Sequence, residues 1–209
     1  MKKYKHTQKK QTEENSSSFV LGYFVNYLKP SAYVPSVHEI DLDSLKEQGI
    51  KLIICDLDNT LVPHFTKFPT LQVRKFVEEV KSRGFEFVLV SNNTSKRVSF
   101  FAEKLGLERY IANAKKPFPK AIKKTVEEVG VKPQETVIIG DMIITDTLAA
   151  NFVHTESILV QPLMDPEKTV DRLLSFMEKF VFKRLSKNNL IVKSEGNKRS
   201  IYSEDYEIL

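Results

Sequence analysis

The feature that most constrains this fold is an alternation of short apolar runs and helical stripes between about residues 50 and 162. The runs are "KLIICD", "FEFVLVS", "YIANA", "TVIIGD" and "SILVQP". Continuous apolar runs rich in branched residues are typical of strands buried on both faces. Between them, apolar residues recur at helical spacing, and two of these segments stop at Gly84 and Gly106. This order predicts an α/β fold, a Rossmann-like, doubly wound parallel sheet with helices on both faces.

Two segments flank this alternating region. The lead-in "LKPSAYVPSVHEIDLDSLKEQG" contains Asp43, which we expect to cap a short helix ending at Gly49. The segment "DPEKTVDRLLSFMEKFVFKRL" predicts a closing helix. Its apolar stripe consists of Val170, Leu173, Leu174 and Met177.

The charge distribution divides the chain into three parts. The net charge is +5, and the opening "MKKYKHTQKK" alone contains five lysines and no acidic residue. The rest of the chain therefore has equal numbers of basic and acidic residues, and no nucleic-acid partner is expected. We predict a disordered basic tail over residues 1–18, a catalytic domain over 19–186 and a C-terminal extension over 187–209. Contact of the tail with anionic lipid or RNA is the alternative.

Cysteine content and hydropathy bear on location. Cys55 is the sole cysteine, which excludes an intrachain disulfide and indicates a reducing compartment. No apolar stretch reaches about 18 residues, and no signal-peptide pattern opens the chain. The prediction is a cytoplasmic protein. The apolar "FVLGYFVNYL" and the closing helix leave peripheral contact with a membrane open, against the plainer interpretation that both pack on the sheet.

Polar side chains follow four of the predicted strands, at the point where each ends. They are Asp56 with Asp58, Ser91 with Asn92, Lys115 and Lys116, and Asp141 with Asp146. Each group alone has a structural explanation as a turn, a cap or a solvated pair. In a parallel sheet, however, these strand ends meet at one edge, where active sites lie. The four groups together therefore predict one catalytic constellation.

The chemistry of this constellation is that of phosphoryl transfer. Carboxylate oxygens suit Mg²⁺, and no paired His or Cys spacing suggests zinc. A lysine and a hydroxyl can bind phosphoryl oxygens, and an ionised aspartate can attack phosphorus. We therefore expect a phosphorylated substrate.

The four motifs resemble those of the haloacid dehalogenase superfamily of phosphohydrolases. "DLDNT" is similar to its first motif, "SNN" to its second, "KP" to its third and "GDMIITD" to its fourth, over about residues 50–162. The stretch from "LKPSAYVPSVHEIDLDSLKEQG" through "LVP" extends the resemblance to about residues 28–163. It is similar to the YqeG-like, phosphatidylglycerophosphatase-type branch of subfamily IIIA.

The resemblance implies roles for the carboxylates. Asp56 is similar to the nucleophile, and Asp58 to the general acid and base that also offers its backbone carbonyl to Mg²⁺. Asp56 and Asp141 would bind the metal. Asp146 would be a water-mediated or orienting acid.

It also implies the phosphate contacts. Ser91 and Asn92 would touch the phosphoryl group, and Lys116 would bind it because it directly precedes Pro117, with Lys115 as the fallback. Two departures concern specificity: "TLAAN" follows the fourth motif where glycines are common, and His64 stands where Trp is common. A surface position is the plainer expectation for His64.

Spacing indicates the kind of substrate. About 33 residues separate Asp58 from Ser91, and about 25 separate Ser91 from Lys116. One helix and one strand fill each gap, so the cap domain found elsewhere in the superfamily has no room. A capless site does not enclose a small metabolite, which favours a large substrate or a cover from an oligomer partner.

The resulting prediction is a Mg²⁺-dependent phosphomonoesterase acting through an aspartyl-phosphate. The branch it resembles implies phosphatidylglycerophosphate or another large substrate. Two alternatives stay open: a phosphatase of a soluble sugar phosphate, nucleotide or phosphoprotein, and a pseudoenzyme that only binds a partner or membrane.

Overall fold

The structure, a computed structural model, describes residues 27–164 and 172–191 of the 209-residue chain. Several predictions lie outside these ranges: the basic tail at 1–18, most of "FVLGYFVNYL", the start of the closing helix and most of the extension at 187–209.

The described residues form one six-stranded sheet in which all paired strands are parallel. The strands are β1 (Ala32–Val34), β2 (Leu52–Cys55), β3 (Glu86–Val90), β4 (Tyr110–Ile111), β5 (Thr136–Gly140) and β6 (Glu156–Val160). Their order across the sheet is β1-β6-β5-β2-β3-β4. The chain therefore proceeds from β2 to β3 on one side and later returns to β5 on the other. This reversal opens a crevice at the carboxyl end of β2.

Within residues 27–164 and 172–191, six α-helices accompany the sheet. They are α1 (Leu42–Glu47), α2 (Leu71–Ser82), α3 (Ser95–Lys104), α4 (Lys120–Val129), α5 (Leu148–Val153) and α6 (Arg172–Lys187). Residues of α1, α2 and α3 pack on one face of the sheet, whereas those of α4 and α5 pack on the other. The α/β prediction is confirmed, including its two helical layers.

Helix α2 shows why the sequence pattern predicted these elements well. Thr70 caps it, since its hydroxyl accepts a hydrogen bond from the Val73 N–H at 3.2 Å. The predicted stripe of Val73, Phe76, Val77 and Val80 is buried. The chain then leaves the helix through Gly84 at φ +86°, a conformation that glycine adopts without strain.

The lead-in differs from its prediction. It contributes β1, an edge strand that pairs with β6. This strand was not predicted, because three residues are too few for a clear sequence pattern. The cap of α1 is Asp41, whose side chain accepts from the Ser44 N–H at 2.9 Å. Asp43, the predicted cap, lies in the first turn of that helix.

The predicted stripe of α6 is only partly correct: Leu174 packs partly buried against the core, and Val170 lies outside the described residues. Leu173 and Met177 are exposed, at 67% and 43%, whereas Val181 and Leu185 are buried. The helix is rotated so that Glu178 also points inward, where its carboxylate meets backbone N–H groups after β5. An inward carboxylate is not expected from hydrophobic periodicity, which explains the error.

The gaps between the strand ends contain no extra domain. Between Asp58 and Ser91 lie a loop, α2 and β3, and between Ser91 and Lys116 lie α3 and β4. The capless prediction is confirmed for these residues. None of the helices in the described ranges is long and apolar enough to cross a bilayer.

Packing of α6 can be tested by substitution. Leu185 is fully buried, so Leu185→Ala should lower the free energy of unfolding by about 2–5 kcal/mol. Phe176 is 69% exposed, and Phe176→Ala should change it by less than about 0.5 kcal/mol. Urea denaturation of both variants measures the difference. Equal effects would show that the helix packs through another face.

Candidate active site

The carboxyl ends of β2, β3 and β5 bring the predicted site residues together. Asp56 directly follows β2, and its N–H still donates to the Ile139 carbonyl of β5 at 2.9 Å. Ser91 directly follows β3, and Asp141 directly follows β5. The crevice predicted from the reversal of strand order therefore opens between these side chains.

A tight turn after Asp56 sets the direction of the next residues. Asn59 lies at φ +62°, a region that asparagine tolerates better than most side chains, and its N–H donates to the Val62 carbonyl at 2.7 Å. The turn directs the Thr60 hydroxyl at Asp141, to which it donates at 3.0 Å. Asp56 and Asp58 thus occupy a turn, not two positions on one face of a regular strand.

Lys116 lies at the centre of the constellation. Its Nζ is 2.7 Å from Asp56 Oδ1 and 2.7 Å from Asp146 Oδ1, and the side chain is buried. The Lys116 N–H donates to Asn92 Oδ1 at 2.6 Å, and Asn92 Nδ2 donates to the Lys116 carbonyl at 3.0 Å. Lys115 is exposed. The backbone therefore directs Lys116, and not its neighbour, into the site.

Asp146 is held by the irregular segment that follows β5. A π-helix spans Ile143–Thr147, and Asp146 Oδ2 accepts from the Met142 N–H at 3.2 Å and from the Thr145 hydroxyl at 3.0 Å. A Cβ on Gly140 would lie 2.2 Å from Asp146 Cγ. Only glycine at position 140 permits this approach, which is a local reason for the Gly-Asp pair in the motif.

The electrostatics of the cluster are unbalanced. Burial, followed by the charges of Asp146 and Asp58, raises the pKa of Asp56 to about 6, although Lys116 opposes the shift. Burial and the charges of Asp146 and Asp56 raise the pKa of Asp141 well above its usual range. Burial alone would lower the pKa of Lys116, but the two carboxylates that it contacts raise it instead. The Lys116 ammonium group thus contributes one positive charge beside three buried carboxyl groups, those of Asp56, Asp141 and Asp146.

Asp58 has different partners from Asp56. Its Oδ1 lies 2.6 Å from Arg97 Nη2 and 2.8 Å from Arg97 Nε, and its Oδ2 accepts from Asn93 Nδ2 at 2.6 Å. Arg97 also donates to the Thr66 carbonyl at 2.7 Å. The sequence reasoning missed Arg97, although its position in the first turn of α3, four residues after Asn93, was an available signal.

The remaining predicted residues lie at the edges of the cluster. Ser91 is buried, and its Oγ accepts from the Asn93 N–H at 3.2 Å. Asn92 is exposed and orders the Lys116 loop through the two bonds described above. His64 is exposed with its ring 5.6 Å from that of Phe65, which agrees with the expected surface position.

Glu178 of α6 is a second residue that the sequence reasoning missed. Its carboxylate accepts from the N–H groups of Ile143 and Ile144 at 2.6 and 3.0 Å, and so caps the segment between Asp141 and Asp146. No sequence signal marks a contact that joins residues 35 positions apart.

The donor set is suited to a hard cation. After burial and the charge of Asp146, the charge of Asp56 also raises the pKa of Asp141, whose Oδ1 accepts a hydrogen bond from the neutral Thr60 hydroxyl. In the described ranges no three His, Cys, Asp or Glu side chains form a ready-made metal cluster. Mg²⁺ does not require one, because it commonly binds one or two carboxylates and keeps several waters. The residues present therefore fit Mg²⁺.

Comparisons with known proteins agree with this geometry. A family model described as haloacid dehalogenase-like hydrolase matches residues 65–153. The chain is 33% identical over 165 residues to "Probable phosphatase YqeG" of Bacillus subtilis (strain 168), covering 79% of this chain and 95% of that protein.

Two further matches are more distant. The chain is 26% identical to "Phosphatidylglycerophosphate phosphatase 1, chloroplastic/mitochondrial" of Arabidopsis thaliana, over 68% of this chain and 43% of the plant protein. A solved structure of an uncharacterized protein from Listeria monocytogenes serotype 4b matches with a TM-score of 0.46 and 19% identity, over 59% of this chain and 83% of that one.

The pKa of Glu178 generates a prediction about stability. Burial raises it from 4.5 to about 7, against the effect of the two N–H donors. Between these two values the folded chain keeps a proton that the unfolded chain has lost, so this group makes stability fall as pH rises from about 4.5 to about 7. Glu178→Gln removes that contribution.

The relevant quantity is the free energy of unfolding of the unsubstituted protein minus that of Glu178→Gln. We expect this difference to be larger at pH 5 than at pH 8, by on the order of 1–3 kcal/mol. Urea denaturation of both proteins at the two pH values measures this difference. A gap that is the same at both values would contradict the assignment.

Proposed function

This chain belongs to the haloacid dehalogenase-like hydrolases and is an enzyme of the phosphatase type, and from that premise we propose that it hydrolyses phosphate monoesters through an aspartyl-phosphate on Asp56. The observation that carries this proposal is the contact of Lys116 Nζ with Asp56 Oδ1 and Asp146 Oδ1, at 2.7 Å each, in a buried position. Lys116 keeps one Asp56 oxygen oriented and supplies positive charge where phosphoryl oxygens would lie.

In the first step an oxygen of Asp56 forms a bond to phosphorus as the ester P–O bond breaks. The leaving alkoxide takes a proton from Asp58. Both Asp58 oxygens accept hydrogen bonds from Arg97 and Asn93 here, so Asp58 must take up a proton and open one of these contacts before it acts as an acid. Opening the hydrogen bond between Asn93 and Asp58 Oδ2 would leave the ion pair between Asp58 and Arg97 intact.

In the second step a water oxygen attacks phosphorus and its proton goes to Asp58. The bond between phosphorus and Asp56 breaks, inorganic phosphate leaves and Asp56 returns to its starting state. Asp58 ends with the proton that the next cycle needs. Ser91 would donate its hydroxyl to a phosphoryl oxygen, and Asn92 acts through the Lys116 loop that it orders.

We propose Mg²⁺ as the cofactor, held by Asp56, Asp141 and, as the family resemblance implies, the backbone carbonyl of Asp58. When bound, the ion neutralises charge on the phosphoryl group and on the carboxylates. Asp146 supports the site by holding Lys116. The raised pKa of Asp56 and Asp141 favours this role, because a cation would let both stay ionised at neutral pH.

For the substrate we propose a large phosphomonoester with a lipid body, of the phosphatidylglycerophosphate type. Two observations support this choice: the site has no cap, and the plant relative is named as a phosphatidylglycerophosphate phosphatase. A soluble phosphomonoester is the alternative, because the roles proposed for the site residues all concern the phosphoryl group, which every phosphomonoester carries. We expect the enzyme in the cytoplasm, with access to a membrane surface.

The catalytic roles predict a pattern among substitutions. With p-nitrophenyl phosphate and Mg²⁺, Asp56→Asn should abolish turnover, and Lys116→Met should lower kcat at least about 100-fold because phosphoryl charge loses its partner. The matched control is Lys115→Met, which changes an exposed neighbour and should stay within about twofold, as its side chain lies outside the cluster.

Circular dichroism would establish that all three variants are folded. Equal losses in Lys115→Met and Lys116→Met would contradict the placement of Lys116. Absence of any Mg²⁺-dependent turnover in the unsubstituted protein would favour the pseudoenzyme.

The substrate proposal predicts a preference between two assays. Phosphate release from phosphatidylglycerophosphate in mixed vesicles should exceed that from sugar phosphates, nucleotides and phosphopeptides at equal phosphate concentration, measured as kcat/KM. Turnover of a soluble compound with none from vesicles would overturn the lipid proposal and leave the phosphatase chemistry intact.

A further inference from the structure

The loops at the carboxyl end of the sheet have an unusual surface. We define the rim as five exposed residues in the loops that carry Asp58 and Lys116: Phe65, Lys67, Phe68, Lys115 and Phe118. Phe65 and Phe118 are 61% and 68% exposed. Arg97 donates to the Thr66 carbonyl and also binds Asp58, so the loop carrying Phe65 stays next to the site.

Apart from the four aspartates of the site, the charged side chains in the loops after β2, β3, β4 and β5 are basic. Between the strands and the helices that follow them, residues 56–70, 91–94, 112–119 and 141–147 contain no acidic side chain other than Asp56, Asp58, Asp141 and Asp146. Lys67 and Lys115 are exposed there, and Lys120 is exposed at the first position of α4. The loops that carry Asp58 and Lys116 therefore present basic and aromatic side chains beside the site.

Helix α6 extends this pattern. Phe176, Met177 and Phe180 are exposed at helical spacing, and the exposed Lys183 and Lys187 continue the same face at three and seven residues beyond Phe180. The one acidic residue from 173 to 187 is Glu178, which is buried. Because Glu178 contacts Ile143 and Ile144, just after β5, this part of α6 lies near the same end of the sheet.

We propose that the rim and the exposed face of α6 together form a docking surface for an anionic lipid bilayer. Phenylalanine and methionine side chains can enter the interfacial layer while lysines meet lipid phosphates. Nucleic acid is the other polyanion that lysines and aromatic rings suit, but the exposed thioether side chain of Met177 on α6 matches acyl chains better than bases. Docking in this way would present the open site directly to phosphate groups in the membrane.

This inference rests on the proposed function only to explain why docking would be useful to the enzyme. Lipid binding itself does not require turnover. Binding is therefore measured by flotation with the full chain carrying Asp56→Asn, on phosphatidylcholine vesicles with and without phosphatidylglycerol. We expect binding to the anionic vesicles only, and weaker binding as salt concentration rises. Binding to RNA or heparin with none to anionic vesicles would overturn the proposal.

Two double variants test the surface itself. Phe65→Ser with Phe118→Ser, and Phe176→Ser with Phe180→Ser, should each weaken vesicle binding by about tenfold or more. The matched control is Tyr110→Ser, which removes an aromatic ring that is 42% exposed on β4 and should bind vesicles normally. With Asp56 restored, both double variants should hydrolyse soluble p-nitrophenyl phosphate at the unsubstituted rate.

The N-terminal lysines are the same in every variant, so unchanged binding in both double variants would assign binding to residues outside the proposed surface and overturn the proposal. A helix variant that loses folding stability instead of vesicle affinity would show that this face of α6 packs within the chain, and would remove α6 from the surface. Failure of p-nitrophenyl phosphate hydrolysis with vesicle binding intact would instead contradict the proposed function.

Discussion

The contact of one buried ammonium with two carboxylates is the interaction on which the rest of the site depends. Lys116 reaches Asp56 from β2 and Asp146 from the segment after β5, so it joins two strand ends far apart in sequence. Removing a buried carboxylate from water is costly, and a close opposite charge offsets part of that cost. Burial raises the pKa values of Asp56 and Asp141, and one lysine does not balance the three carboxylates. This residual charge is what a bound cation would neutralise.

The two aspartates of the first motif have different surroundings, which agree with the different roles proposed for them. Asp56 faces the buried lysine, whereas Asp58 is directed by the turn at Asn59 towards Arg97 and Asn93 at the start of α3. A nucleophile benefits from a fixed oxygen, and a proton carrier benefits from partners near the solvent. The two aspartates thus have separate partners although they are only two residues apart in the chain.

Helix α6 connects the site to the surface through two faces. Its inward face supplies Glu178, which caps the segment between Asp141 and Asp146, and Leu185, which anchors the helix in the core. Its outward face carries Phe176, Met177 and Phe180. The same helix thus holds the segment between Asp141 and Asp146 on one side and exposes apolar side chains on the other.

The sequence by itself determined the class of fold, the order of β2 to β6 and the four groups at the strand ends, because buried strands and amphipathic helices impose periodicities that are readable locally. Through a resemblance and not a physical deduction it also singled out Lys116 ahead of Pro117, and the structure places that side chain among the carboxylates. Tertiary structure alone decided that Arg97 and Glu178 belong to the site, that α6 turns Leu173 and Met177 outward, and that β1 joins the sheet. Each of these depends on contacts between residues distant in sequence, whose energies outweigh local pattern and leave no trace in it.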